Sequence, residues 1–304
     1  MKKTLAKILT SLVITLSASN ISQGATFNVD YNKNPQLSNT INNLSLKSSE
    51  ELKSWFDNKF DNKINISVLN DKDFNKIIGN GKISIDGFAV SEQDLIVLKE
   101  SALVGKTTED IRRLLKHEIS HIFLATTFKN FSYDKFPRWL NEGLSQFLSD
   151  GGSEIYSYSY QNSLQSAFIT GNLIPFSSLV YYFPSDKDNF SLAYAQSISF
   201  IEFLVKKFGQ DKLKVLLGEL DKNDSFYKSF ENVYKENFFL VENLWKNENK
   251  SSQYTLDYYF ATHINSIIDA LMVFVFFLTF IVAFFRNKKR KKIMHEMEKL
   301  SQHH

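Results

Sequence analysis

The sequence predicts an α+β fold: a small mixed β-sheet, then a mainly helical lobe, then one C-terminal transmembrane helix. Three observations predict it. Segments rich in β-branched residues crowd into residues 63–101. From Thr107 onward the pattern turns helical and stays mostly so, and strands grouped before helices are the order of an α+β unit. The stretch from Ala270 to Phe285 carries no charge.

The chain has 304 residues, enough for one or two folded units around a sizeable core. Apolar residues make up 43% and charged residues 23%, the proportions of a globular protein, and phenylalanine is abundant at 28. There is no cysteine, which excludes a disulfide framework and any thiolate metal site. The net charge of +3 comes from the ends. Lys2, Lys3 and Lys7 open the chain, and from Arg286 seven Lys/Arg stand against Glu296 and Glu298. The middle is net acidic, so no basic face argues for a nucleic-acid partner.

The N-terminal end, "MKKTLAKILTSLVITLSASNISQGATF", has a charged start, an apolar stretch from Ile8 to Leu16, then small and polar residues. That pattern predicts a secretory signal over residues 1–25, with cleavage near Gly24 or Ala25. "SSEELKSWFDNKF" predicts a first amphipathic helix over 48–60. "KINISVLN", "GKISIDGFAV" and "DLIVLKES" predict strands, with turns at "GNG" and "DG". These make residues 26–100 the strand-rich part of the fold.

Residues 101–262 form the helical part. Its best-defined helix is "TTEDIRRLLKHEISHIFLATTF". Thr107 or Thr108 caps it, and Glu109 and Asp110 suit the positive end of the helix dipole. At about 100° per residue, Ile111, Leu115, Ile119 and Ile122 share one stripe. His117 and His121 lie roughly 130° away on another face. Two imidazoles four residues apart stand one above the other and can bind one zinc ion through nitrogen. Glu118 between them reaches a metal-bound water as a general base without ligating the metal. A catalytic zinc needs a third protein ligand. "FPRWLNEGLSQFLSD" follows, with Pro137 at a helix start, and Glu142 beside Trp139, Leu140 and Leu144 is the candidate. Asn141 is a candidate to orient a ligand, whereas Ser120 and Ser145 read as small packing residues. His263, His295, His303 and His304 lack such a constellation and read as surface or tail residues.

At the C-terminal end, the apolar run from Ile267 to Phe285 interrupts only at Asp269. About 19 helical residues rise about 28 Å, close to a bilayer's hydrocarbon thickness. This predicts a transmembrane helix over 263–286 and a basic tail over 287–304. Lys288 to Lys292 are all basic, which by the positive-inside bias makes the tail cytoplasmic. The rest then lies outside the cytoplasm, at the cell membrane.

HEISH at 117–121 with WLNEGLSQF at 139–147 resembles the gluzincin zinc metallopeptidases. It is most similar to the peptidase MA-like group, compact relatives of the M1 aminopeptidase catalytic domain. The resemblance implies a thermolysin-like arrangement with Zn2+ on His117, His121 and Glu142 and with Glu118 as base. "FSLAYAQSISFIEFLVKKFG" resembles a later helix of these domains, which implies that Tyr194 donates its hydroxyl to the oxyanion. "LVENLWKNE" resembles their end, so the likeness covers about residues 60 to 250. No G-x-M-E-N-type exopeptidase segment precedes the zinc helix. "GFAVSEQDLIVLKES" stands there instead, as a strand beside which a substrate backbone would lie. The chain lacks that mark of an aminopeptidase, which leaves endopeptidase cleavage at least as favoured. The expected substrate is a peptide or protein of the cell envelope or secreted space. Two alternatives share the metal apparatus: a silent zinc-binding module tethered to a membrane, and a zinc hydrolase of a non-peptide substrate. A silent site has no need of Glu118. Nothing in the pattern assigns an oligomeric state.

Overall fold

The structure is a computed structural model. It describes residues 24–56, 60–79, 85–128, 132, 134–151, 158–223, 225–250 and 252–301. The expected signal segment lies almost wholly outside them. The residues up to Asn249 form one compact unit, and those from Lys250 form a second.

The first unit is built on a four-stranded sheet of order β1-β2-β4-β3. β1 (Thr26–Asp30) and β2 (Lys63–Leu69) are parallel, with Phe27 opposite Ile64. β2 is also parallel to β4 (Leu95–Lys99), with Ile66 opposite Ile96. β3 (Gly87–Val90) pairs antiparallel with β4, with Val90 opposite Leu95. The sheet is therefore mixed, as the sequence predicts. Parallel neighbours need crossover connections. α1 (Pro35–Phe56) supplies the first, and α2 (Asp71–Ile78) lies in the second.

α1 starts 13 residues before the expected helix at Ser48. Asn34 caps it by accepting from the Leu37 N–H at 3.0 Å. Its buried stripe runs through Ile41 and Leu52 but includes Ser45, Ser48 and Ser49, all buried. Those small residues break the hydrophobic pattern while fitting a close-packed face. The strand expected over 81–90 is observed from Gly87. Residues 80–84 lie outside the described set.

α3 (Thr108–Thr127) carries the HEISH turn. Thr107 caps it: its Oγ1 accepts from the Asp110 N–H at 3.1 Å, and Asp110 Oδ2 accepts in return from the Thr107 N–H. The predicted stripe Ile111, Leu115, Ile119 and Ile122 is buried against Ile64, Ile66, Ile96 and Leu98 of the sheet.

The helical lobe contains α4 (Arg138–Leu148), α5 (Tyr158–Thr170), α6 (Lys187–Phe208), α7 (Gln210–Leu220), α8 (Phe226–Tyr234) and α9 (Phe238–Asn249). Its core explains the many phenylalanines. The Trp139 ring lies 4.5 Å from Phe176, 5.3 Å from Phe226, 5.6 Å from Phe200 and 5.8 Å from Phe238, centre to centre. Such rings bury large apolar areas and prefer tilted or edge-on contacts. Leu124 belongs to this core while Phe123 belongs to the sheet-side core. α3 thus lies at the seam of the two.

The second unit contains α10 (Ser252–Ser301). His263–Met294 within it is long and apolar enough to cross a membrane by length and composition. The helix continues past the expected end at Arg286, through the basic cluster. His263 is exposed there; His303 and His304 lie outside the described residues.

Candidate metal centre

Helical periodicity puts His117 and His121 on one face of α3, one turn apart. Their ring centres are 4.7 Å apart with planes at 90°. The Nε2 atoms approach to 3.2 Å. Glu142 comes from the middle of α4, and its Oε2 lies 3.5 Å from His121 Nε2 and 3.7 Å from His117 Nε2. Two donors about 2.0–2.1 Å from a tetrahedral zinc stand about 3.4 Å apart. The three donor atoms already have that spacing. Among the described residues the buried Oε2 accepts no hydrogen bond within normal geometry, and a carboxylate oxygen so placed favours a cation beside it. The donor set therefore fits a zinc ion.

The three groups also shift one another's protonation. Burial pushes the His117 imidazole down to about 3, with His121 adding to the effect. Burial also resists charge on His121, but the Glu142 carboxylate overcomes it and raises His121 to about 9. Burial alone would raise Glu142, yet His121 and then Arg138 hold it down to about 2.

His121 is braced from behind. Its Nδ1 lies 3.1 Å from Asn141 Oδ1 and 3.1 Å from Ser145 Oγ. A proton on Nδ1 donated there leaves the Nε2 lone pair directed at the cluster. Asn141 thus stands where an orienting residue is expected. Ser145 corrects the sequence expectation: it is buried, but its hydroxyl meets the His121 ring and does more than fill space. Ser120 is buried and donates to the His117 carbonyl of its own helix at 2.7 Å.

These side chains open on a cleft of about 1310 Å³. Its walls include His117, Glu118, His121, Asn141, Glu142 and Tyr194. The residues expected as ligands, base, orienting amide and oxyanion donor, His117, His121, Glu142, Glu118, Asn141 and Tyr194, therefore line one cleft. Glu118 is 4% exposed. A Cβ added to Gly87 would stand 3.3 Å from Glu118 Oε1 and 2.8 Å from Leu98 Cδ2. The glycine makes room for the carboxylate beside the sheet. Tyr194 is buried in the wall between Phe183 and Phe190, each ring centre 5.0 Å away. α6, which carries it, is capped by Asp186, whose side chain accepts from the Asn189 N–H at 3.0 Å. β3, at one edge of the sheet, lines the cleft through Gly87, Phe88, Ala89 and Val90.

Two cleft residues escaped the sequence reading. Gly87 looked like half of an ordinary turn, and only its contact with Glu118 reveals more. Arg138 carries one legible signal, its position four residues before Glu142.

The chain belongs to the Peptidase MA superfamily, whose family model matches residues 87–251. That match covers β3, β4, α3 and the helical lobe. The chain is also similar to a Bacillus subtilis (strain 168) protein named "Uncharacterized protein YhcO", with 27% identity over 193 residues. The similarity covers 59% of this chain and 55% of that protein, so the chain spans about half the length of its curated relative.

Proposed function

We propose that this protein is a membrane-anchored zinc metallopeptidase of the gluzincin type, acting outside the cytoplasm. The observation that carries the proposal is the spacing of 3.2, 3.5 and 3.7 Å among His117 Nε2, His121 Nε2 and Glu142 Oε2, with Glu118 in the same cleft. The family membership supports it. His117, His121 and Glu142 hold the ion. A zinc ion bound there would supply Lewis acidity to activate water and polarise a carbonyl.

The protein's own groups do the rest. Among the described residues β3 is an edge strand, and such an edge can pair with an extended peptide and lay the scissile bond along the cleft. Glu118 takes the proton of the attacking water and passes it to the leaving amine. Tyr194 donates its hydroxyl to the oxyanion that develops on the scissile carbonyl; a phenol is neutral at pH 7 and has one proton to offer. The apolar run in α10 anchors the chain, and Lys288 to Lys292 keep the tail on the cytoplasmic side. Envelope or secreted proteins and peptides are then the substrates within reach.

The test is cleavage of a mixed peptide library by the full chain in detergent, read by mass spectrometry, with zinc content measured in parallel. Glu118→Gln should retain zinc and lose about 10²- to 10⁴-fold in turnover, the range for general acid–base catalysis. Equal turnover by wild type and variant would refute the assignment of Glu118. Zinc binding without cleavage by either would leave a binding module.

A further inference from the structure

Glu142 presents its two carboxylate oxygens in different directions. Oε2 faces the two histidines. Oε1 lies 3.3 Å from Nη2 of Arg138. Arg138 stands one helical turn earlier on α4, so the two side chains lie one above the other. It is anchored independently of Glu142. Its backbone N–H donates to the Val180 carbonyl at 2.7 Å. Its guanidinium carbon lies 5.4 Å from the centre of the Phe183 ring, within range of a cation–π contact. That same ring packs edge-on against Tyr194.

We propose that Arg138 is a positioning residue of the metal centre: it holds Oε1 of Glu142 so that Oε2 alone is offered to the metal. The proposal rests on the reading that His117, His121 and Glu142 bind a metal. A carboxylate can ligate through one oxygen or through two. Ligation through both, with the water retained, would raise the coordination from four to five and crowd the position that a catalytic zinc site keeps for water and substrate. Guanidinium is suited to prevent this. It is charged at every relevant pH, and its planar fork competes for a carboxylate oxygen with direction as well as charge. A lysine there would bring the charge without the fork. Val180 and Phe183 belong to one connection leading into α6: the first fixes the Arg138 backbone, and the second meets the guanidinium on the side away from α4's own Glu142.

Cobalt(II) as a probe tests this, because its visible absorption is strong when four-coordinate and weak when five-coordinate. The full chain in detergent is loaded with one equivalent of cobalt, beside its Arg138→Gln and Arg138→Lys variants. Far-UV circular dichroism and melting of the metal-free proteins check the fold. Arg138→Gln should lose visible absorption several-fold as both oxygens of Glu142 engage. Arg138→Lys should recover it in part, and it carries the comparison if the glutamine variant does not fold. A mere role in tying α4 to Val180 runs through the backbone and would leave the spectrum unchanged. Spectra of all three proteins that superimpose would overturn the proposal. Failure of the wild type to bind cobalt or zinc would overturn the metal reading itself, and Arg138's role with it.

Discussion

Gly143 stands so close to Ser197 that a Cβ on it would lie 2.8 Å from the Ser197 carbonyl oxygen and 2.9 Å from its carbonyl carbon. No side chain fits between α4 and α6 at that point. The residue before Gly143 is Glu142, and one turn before Ser197 is Tyr194. This contact therefore sets how the helix bearing Glu142 lies against the helix bearing Tyr194. Gly143→Ala should push the helices apart and destabilise the protein by about 1–3 kcal/mol, as over-packing does. Zinc affinity should fall with it. Denaturant melts and chelator competition check both, and an unchanged melt would show that α6 yields freely.

Asn141 and Ser145 both meet His121 Nδ1. Loss of such a partner typically costs 10- to 100-fold in metal affinity. Asn141→Ala and Ser145→Ala should each weaken zinc within that range while the metal-free fold is retained. Chelator competition gives the number. Wild-type affinity in both variants would mean that the ring is held by packing alone.

Gly87 predicts a different signature. Its alanine variant presses on Leu98 and on the Glu118 carboxylate, not on a ligand. Zinc content should remain at one equivalent while turnover of a cleaved peptide drops at least tenfold. Loss of zinc together with turnover would point to collapse of the sheet edge instead.

Arg112 gathers carboxylates at the sheet end of α3. It lies 2.7 Å from Glu109, 2.8 Å from Asp150 and 3.2 Å from Glu51. Its hydrogen bonds hold Glu109 down to about 2 and, against partial burial, lower Asp150 as well. A carboxylate depressed in the folded state stabilises above its unfolded value and stops doing so as pH falls through the folded one. The contribution of Glu109 is therefore complete above about pH 4.5 and lost towards pH 2. Glu109 is half exposed, so the effect is screened and modest. Melts of Glu109→Gln should fall more gently than those of wild type over that window, and parallel curves would exclude the pair.

How legible all this was depends on the distance over which each feature is decided. The cap at Thr107, the stripe Ile111–Leu115–Ile119–Ile122 and the shared face of His117 and His121 all lie within one helix. The rules of 3.6 residues per turn decide them, and the sequence shows them directly. The apolar run in α10 is equally local. β1 and most of α1 were harder, because a five-residue strand and a stripe containing Ser45, Ser48 and Ser49 give weak periodic signals.

The sequence by itself determined the pair of histidines, the glutamate between them, the helix start at Pro137 and the long apolar segment. Glu142 came from pattern and family likeness, but its approach to within 3.5 Å of His121 is a matter of packing. Only the tertiary structure decided that Oε1 meets Arg138, that Ser145 reaches His121, and that Gly87 yields space to Glu118. Each of these joins side chains whose meeting is set by how α3, α4, α6 and β3 pack. Local propensity carries no information about such meetings. Close packing of large side chains around Trp139, and of bare backbone at Gly143, sets where α4 and α6 lie, and with them the side chains that meet in the cleft.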